Sequence, residues 1–245
     1  MLFDAHCHLN ELENIEEKIK EAKKNDVKII FSNSVDLNSS KENLELQEKF
    51  SEVKAFLGLH PSNLLSMNKA KQVKAIEFIK ENINNAIGIG ETGLDFKHAD
   101  TKEKQLIQKK FFEKQIEIAI KENKLIQVHS RLARIECIEL LEKFKAKKVL
   151  MHWFYGNKEL IERILKNNWF ISVGPSILTE KHIQEMIKLI PLENLLLETD
   201  APVIFSGKKA EPKQIKEVAE KVIKIKEINL INLKANLKKN LKKML

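Results

Sequence analysis

Cysteine is scarce in this chain: Cys7 and Cys137 are the only two among 245 residues, and they stand in no paired spacing. A disulfide framework is thereby excluded, and a reducing, cytoplasmic setting is the expected one. Long apolar runs are missing too. No stretch approaches the roughly 18 residues that a membrane span needs, so no membrane partner is expected. The opening residues, MLFDAHCHL, show neither the basic stretch nor the apolar segment of a secretory leader. Arginine is rare: Arg131, Arg134 and Arg163 stand against 40 lysines, which makes the place of each informative. No Gly-, Pro- or Ser-rich linker divides the chain, which points to a single domain over residues 1–245. Nothing in the sequence calls for an obligate protein partner.

What is present is a globular composition, 43% apolar and 32% charged, in a chain long enough to bury a core without disulfide or metal staples. The formal net charge is +8. Such a balance can advertise nucleic acid, but its distribution weakens that reading. Residues 201–245 hold 12 Lys and 4 Glu with no Arg or Asp, so the whole excess sits there and the first 200 residues are neutral. In the last stretch, Leu233, Leu237, Leu241 and Met244 recur at helical spacing with lysines between them. This predicts an amphipathic helix that docks its apolar stripe and solvates its lysines, in preference to a helix that tracks phosphates.

Eight short apolar runs punctuate the chain, over residues 2–5, 27–32, 53–60, 86–91, 125–129, 148–152, 169–174 and 194–200. They barely alternate, as expected of strands buried on both faces. Amphipathic helical patterns lie between them, clearest over 15–24, 105–121, 135–144 and 159–165. Eight strand–helix units in about 245 residues predict an α/β protein of the (β/α)8 TIM-barrel class. An open doubly wound sheet is the competing reading. It is disfavoured because no GxGxxG opens a helix after the first strand.

The chemistry-bearing residues gather at strand ends. His6, His8, His60, His129 and His152 close predicted strands, as do Glu91 and Asp200. In a parallel barrel those C-terminal ends share one rim, where active sites are built. His6 and His8 are i and i+2 on a strand and so face the same way, with Cys7 turned outward. Two imidazoles so placed can chelate one ion, and Asp4 adds an acid to the same face. Alone, an HxH pair is compatible with two unrelated polar residues. Glu91 suits a bridge between two cations of a two-metal site, and His129 and His152 would complete the second ion's shell. Asp200 can hold a metal and take a proton from its water as general base. Glu198, two residues earlier, is a candidate supporting residue or simply a structural ion pair. His60 is read as a substrate contact, and Arg131 offers a planar fork to a phosphate or carboxylate. Trp153 opens an aromatic loop, Trp153-Phe154-Tyr155, that could stack bases or merely pack under the rim. Arg134 is expected on the helix surface, and His98 and His182 lie off the strand ends and are not assigned.

The motifs DAHCHL, GLHP, GIGETGLDF, VHSR, HWFYG, ISVG and ETDAP follow one another along the chain. In that order they resemble the TatD-related metal-dependent deoxyribonucleases, a branch of the amidohydrolase-type barrels. The resemblance implies a barrel with a divalent-metal site at its rim. His6, His8, Glu91 and Asp200 would hold one ion, and Glu91, His129 and His152 the second. It further implies hydrolysis of phosphodiester bonds, most simply exonuclease-like action on single-stranded DNA or a strand end, with Asp200 and Glu91 as catalytic groups. Histidine-rich ligation with two carboxylates suits Zn, Mn, Ni or Co, and the family also admits Mg. Thr92, Phe96 and the APVIF turn depart from the family pattern without touching an expected ligand. Two other readings remain open at this point. One is a hydrolase of an ester or amide bond, such as a D-aminoacyl-tRNA deacylase; the other is a non-catalytic nucleic-acid binding module using the basic C-terminal region.

Overall fold

The computed structural model describes all 245 residues, Met1–Leu245. Eight parallel strands are laid down in chain order: β1 (Leu2–Cys7), β2 (Val27–Asn33), β3 (Val53–Leu57), β4 (Gly88–Asp95), β5 (Leu125–Arg131), β6 (Val149–Met151), β7 (Phe170–Val173) and β8 (Leu195–Leu197). Helices return the chain between them: α1 (Ile15–Lys24), α2 (Leu37–Lys49), α3 (Pro61–Ser66) and α4 (Lys69–Asn82) in the first half, then α5 (Lys102–Lys121), α6 (Arg134–Lys143), α7 (Lys158–Lys166) and α8 (Lys181–Leu189). The order β1 to β8, each strand beside its neighbour in sequence, is that of a TIM barrel. Every residue of β1 and β4 is buried, which is why those runs do not alternate polar and apolar side chains as half-exposed strands would.

The seam between β8 and β1 separates a barrel from an open doubly wound sheet. It is drawn together by the Asp200 N–H donating to His6 O at 2.9 Å and the His8 N–H donating to Ala201 O at 2.7 Å. Below these, the buried Asp4 carboxylate accepts the Thr199 N–H at 3.0 Å and the Thr199 hydroxyl. Asp4 thus belongs to the seam and not to the rim. Burial raises its pKa well above the usual carboxylate range, with the Thr199 bonds pulling the other way.

Strand limits differ from the apolar runs in two instructive places. β3 stops at Leu57, and His60 is the N-cap of α3, where its ring nitrogen accepts the Ser62 N–H. β4 runs on past Glu91 to Asp95, because β5 continues to pair with it as far as Arg131. A short antiparallel hairpin, β9 (Ile204–Phe205) and β10 (Lys208–Lys209), follows the eighth strand and was not legible as a pair in the sequence.

One apolar cluster of 62 buried residues runs from Leu2 to Met244. The last two helices, α9 (Ile215–Lys226) and α10 (Leu230–Met244), complete the outer layer. As the spacing predicts, Leu233, Leu237, Leu241 and Met244 of α10 are buried while Lys238, Lys239, Lys242 and Lys243 are exposed. The buried Asn240 amide donates to Leu192 O at 2.7 Å and Leu195 O at 3.0 Å, tying α10 to the start of β8.

Candidate metal centre

Glu91 stands at the middle of the barrel mouth, almost fully buried, with its two oxygens turned to different histidines. Oε2 lies 3.7 Å from His6 Nε2 and 3.3 Å from His8 Nε2. Those same two nitrogens are each 3.5 Å from Asp200 Oδ1. Oε1 lies 2.7 Å from His129 Nδ1, 3.0 Å from His152 Nε2 and 3.5 Å from His60 Nε2. Two donors that each sit ~2.1 Å from one tetrahedral or octahedral ion are separated by roughly 3.0–3.4 Å. Most of these distances fall near that range, and most are too long for good hydrogen bonds.

The other nitrogen of most of the rings is held from behind. His6 Nδ1 meets Gln127 Oε1 at 2.6 Å, and Gln127 in turn donates to Ala5 O at 2.9 Å. His6 therefore donates through Nδ1, and its Nε2 lone pair faces the mouth. That Nε2 is buried and has no hydrogen-bond partner, an arrangement that costs free energy unless a cation occupies the position. His8 Nδ1 contacts Asn33 O at 3.1 Å, and His60 Nδ1 contacts Ser62 Oγ at 2.7 Å. His129 Nε2 lies 3.2 Å from Asp95 Oδ2, whereas His152 Nδ1 faces Glu198 Oε2 at 3.5 Å without a hydrogen bond. Carbonyl and carboxylate acceptors such as those behind His6, His8 and His129 fix the tautomer and raise the basicity of a metal-binding imidazole. The donor set fits a divalent cation.

The electrostatics agree with the geometry. Burial would raise the pKa of Glu91, but the charges of His60, His152 and His129 outweigh it and hold the carboxyl well below its usual range. Asp200 is likewise lowered, burial being overcome by the neighbouring His8, His152 and His6 imidazoles. Burial alone would lower His8, yet the Asp200 and Glu91 carboxylates beside it push it up to about 10. His152 and His129 are raised against burial by Glu91 with Glu198 or Asp95, whereas burial wins at His60 and lowers it. In a metal-free chain, protons thus neutralise the acids that cations would otherwise neutralise.

The structure brings His6, His8, Glu91, His129, His152 and Asp200 together, and it adds His60, which approaches the same Glu91 oxygen as His129. Glu198 lies behind the site, fully buried, accepting the Trp153 N–H at 2.7 Å and the Ser172 hydroxyl at 2.6 Å. Arg131 and Trp153 line the mouth, a cavity of about 690 Å³. Four residues were placed differently by the sequence pattern or left out. Arg134 is at the mouth and not on an outer helix surface, because a turn at Leu132, φ 54°, swings the start of α6 over the rim. His182 also lines the mouth. Asp95 backs His129, and His98 Nδ1 meets Asp95 Oδ2 at 2.8 Å. The one available signal was Asp95's place in GLDF, four residues beyond Glu91 and therefore on the same strand face.

A nearly closed eight-stranded barrel with a histidine–carboxylate cluster at its C-terminal rim defines a class, the metal-dependent barrel hydrolases. The family model of the TatD related DNases matches residues 3–245. The chain belongs to that family of metal-dependent hydrolases. The metal-dependent hydrolase YabD of Bacillus subtilis is 32% identical, with 100% of this chain and 98% of that protein aligned. Human deoxyribonuclease TATDN3 is 30% identical over 94% of this chain and 89% of its own length. The crystal structure of the TatD homologue YjjV of Escherichia coli superposes with a TM-score of 0.89, covering 100% of this chain and 97% of that one at 22% identity. No helix is long and apolar enough to cross a membrane.

Proposed function

We propose that this chain is a cytoplasmic nuclease that hydrolyses phosphodiester bonds in DNA, taking a single strand or a strand end into the barrel mouth. The observation that carries the reading is the division of Glu91: Oε2 faces His6 and His8, and Oε1 faces His129 and His152. This supports a pair of divalent cations, with His6, His8 and Asp200 on one side of Glu91 and His129 and His152 on the other. Divalent ions held there would acidify water and neutralise charge that builds on a phosphate. Asp200, ionised and at the open side of the cluster, accepts the proton of the attacking water. Glu91 remains a carboxylate throughout, since its pKa is held low. Arg131 donates to the non-bridging phosphate oxygens, and Trp153 offers a ring face to a base. Contacts of these kinds address phosphate and ring faces, so sequence preference is small. The mouth is in the size range of small-molecule sites, which favours a flexible strand end over a duplex interior and hence exonuclease-like release.

The test is chelation followed by add-back of Zn, Mn, Mg, Ni or Co on a labelled single-stranded oligonucleotide, for the wild type and for Glu91→Gln. Nucleotide release should depend on added cation and vanish in the variant, with the far-UV circular dichroism unchanged. Full activity in Glu91→Gln would refute the bridging role. Aminoacyl-tRNA is assayed beside the oligonucleotide, and release of amino acid without nucleotide would replace the nuclease by an ester hydrolase.

A further inference from the structure

One wall of the mouth carries charge that hydrolysis of a single phosphodiester does not use. Arg134, the first residue of α6, lines the cavity with its guanidinium 5.5 Å from the centre of the Tyr155 ring. Tyr155, the only tyrosine of the chain, meets His182 edge to face at 4.8 Å, and His182 Nε2 is paired with Glu180 at 3.0 Å. The segments that follow β5, β6 and β7 (the start of α6, the loop at Tyr155 and the start of α8) thus hold one cation–ring stack beside the metal centre.

The placement of Arg134 is not explained by the fold. A cation at the first residue of a helix stands against the helix dipole. Arg163, the third arginine, is paired with Glu142 at 2.6 Å, whereas no carboxylate lies within ion-pair reach of Arg131 or Arg134. Two of only three arginines therefore face one cavity with their forks unpaired. An arginine fork matches a phosphate bidentately, which a lysine does not.

Resting on the nuclease reading above, we propose that Arg134, steadied by Tyr155, binds the phosphate next to the scissile one, so that the site selects a nucleic-acid chain over an isolated phosphodiester. Arg131 serves the reacting phosphate and Arg134 its neighbour along the strand. The subsite reads charge spacing and carries no base preference.

The experiment compares wild type, Arg134→Ala and Arg134→Lys on a single-stranded oligonucleotide and on bis(p-nitrophenyl) phosphate, which has one phosphodiester and no neighbour. In Arg134→Ala, KM for the oligonucleotide should rise roughly 10- to 100-fold, the worth of one charge-assisted hydrogen bond, with little change in kcat. The loss on the oligonucleotide should exceed that on the small diester by roughly tenfold or more. The slope of log affinity against log salt should fall by about 0.7 in Arg134→Ala and be kept in Arg134→Lys. Equal losses on both substrates would overturn the subsite. Fluorescence anisotropy of a labelled oligonucleotide in EDTA reads the same contact without turnover: weaker binding by Arg134→Ala supports the proposal, and unchanged binding and salt slope refute it. Should wild type cleave neither substrate, the nuclease reading fails while the anisotropy result still decides whether Arg134 holds a nucleic-acid phosphate.

Discussion

At His8 a pKa of about 10 has a direct consequence for metal binding. The imidazole is protonated in the metal-free chain at neutral pH, and a cation needs the lone pair that the proton occupies. Binding at pH 8 should therefore release at least about one proton per chain, and apparent affinity should climb with pH until the His8 proton is lost. Isothermal titration calorimetry at pH 8 in two buffers of different ionisation enthalpy measures this directly. Proton uptake, or none, would contradict the arrangement around Glu91 and Asp200. For the metal-free fold the sign runs the other way: His8, raised in the folded state, stabilises it fully below about pH 6.5 and ceases to do so as the pH rises through about 10. At this scale the sequence revealed residue types and their strand-end positions, His6 to Asp200, because alternation along a strand fixes which side chains share a face. It did not reveal Arg134 or His182. Their side chains reach the mouth through loop turns, and a left-handed residue such as Leu132 is not written in any apolar pattern.

At the scale of elements, the β4–β5 pair positions Glu91, Asp95 and His129. Gly93 of β4 sits opposite His129 in the register, with φ 136°, and a Cβ placed there would come 2.0 Å from His129 O. Any side chain must push β5 away or rotate the backbone out of a region closed to L-residues. Gly93→Ala should lower stability by about 3 kcal/mol or more, read from urea unfolding, and should weaken cation binding because His129 moves with β5. Near wild-type stability and affinity would show that the pair has slack that its geometry denies. The strands themselves were legible as buried apolar runs, yet their ends were not. β3 stops three residues before His60, and β4 overshoots Glu91 by four, because strand length is set by the neighbour that supplies hydrogen bonds.

For the whole molecule, the rim concentrates acids and imidazoles whose charges only partly cancel, while the body below is one apolar core. A ligand that binds the folded chain alone stabilises it by about 2.7 kcal/mol at a hundredfold excess over Kd. In a chain of this size that corresponds to a rise in Tm of roughly 5–10 °C. Differential scanning fluorimetry should show this rise on adding a binding divalent cation to chelated wild type, and little or none for Glu91→Gln. An equal rise in both would place the stabilising ion elsewhere.

The sequence by itself determined the barrel class, since eight buried runs alternating with amphipathic helices have few other ways to bury both faces of every strand. It also determined that α10 docks through Leu233, Leu237, Leu241 and Met244, because helical spacing makes one stripe of them. Only the tertiary structure decided that Glu91 divides its oxygens, that Asp95 and Glu198 stand behind histidines, and that Arg134 faces the mouth unpaired. Those facts depend on distances between residues far apart in the chain. Closure of the barrel creates them, and local periodicity cannot carry them.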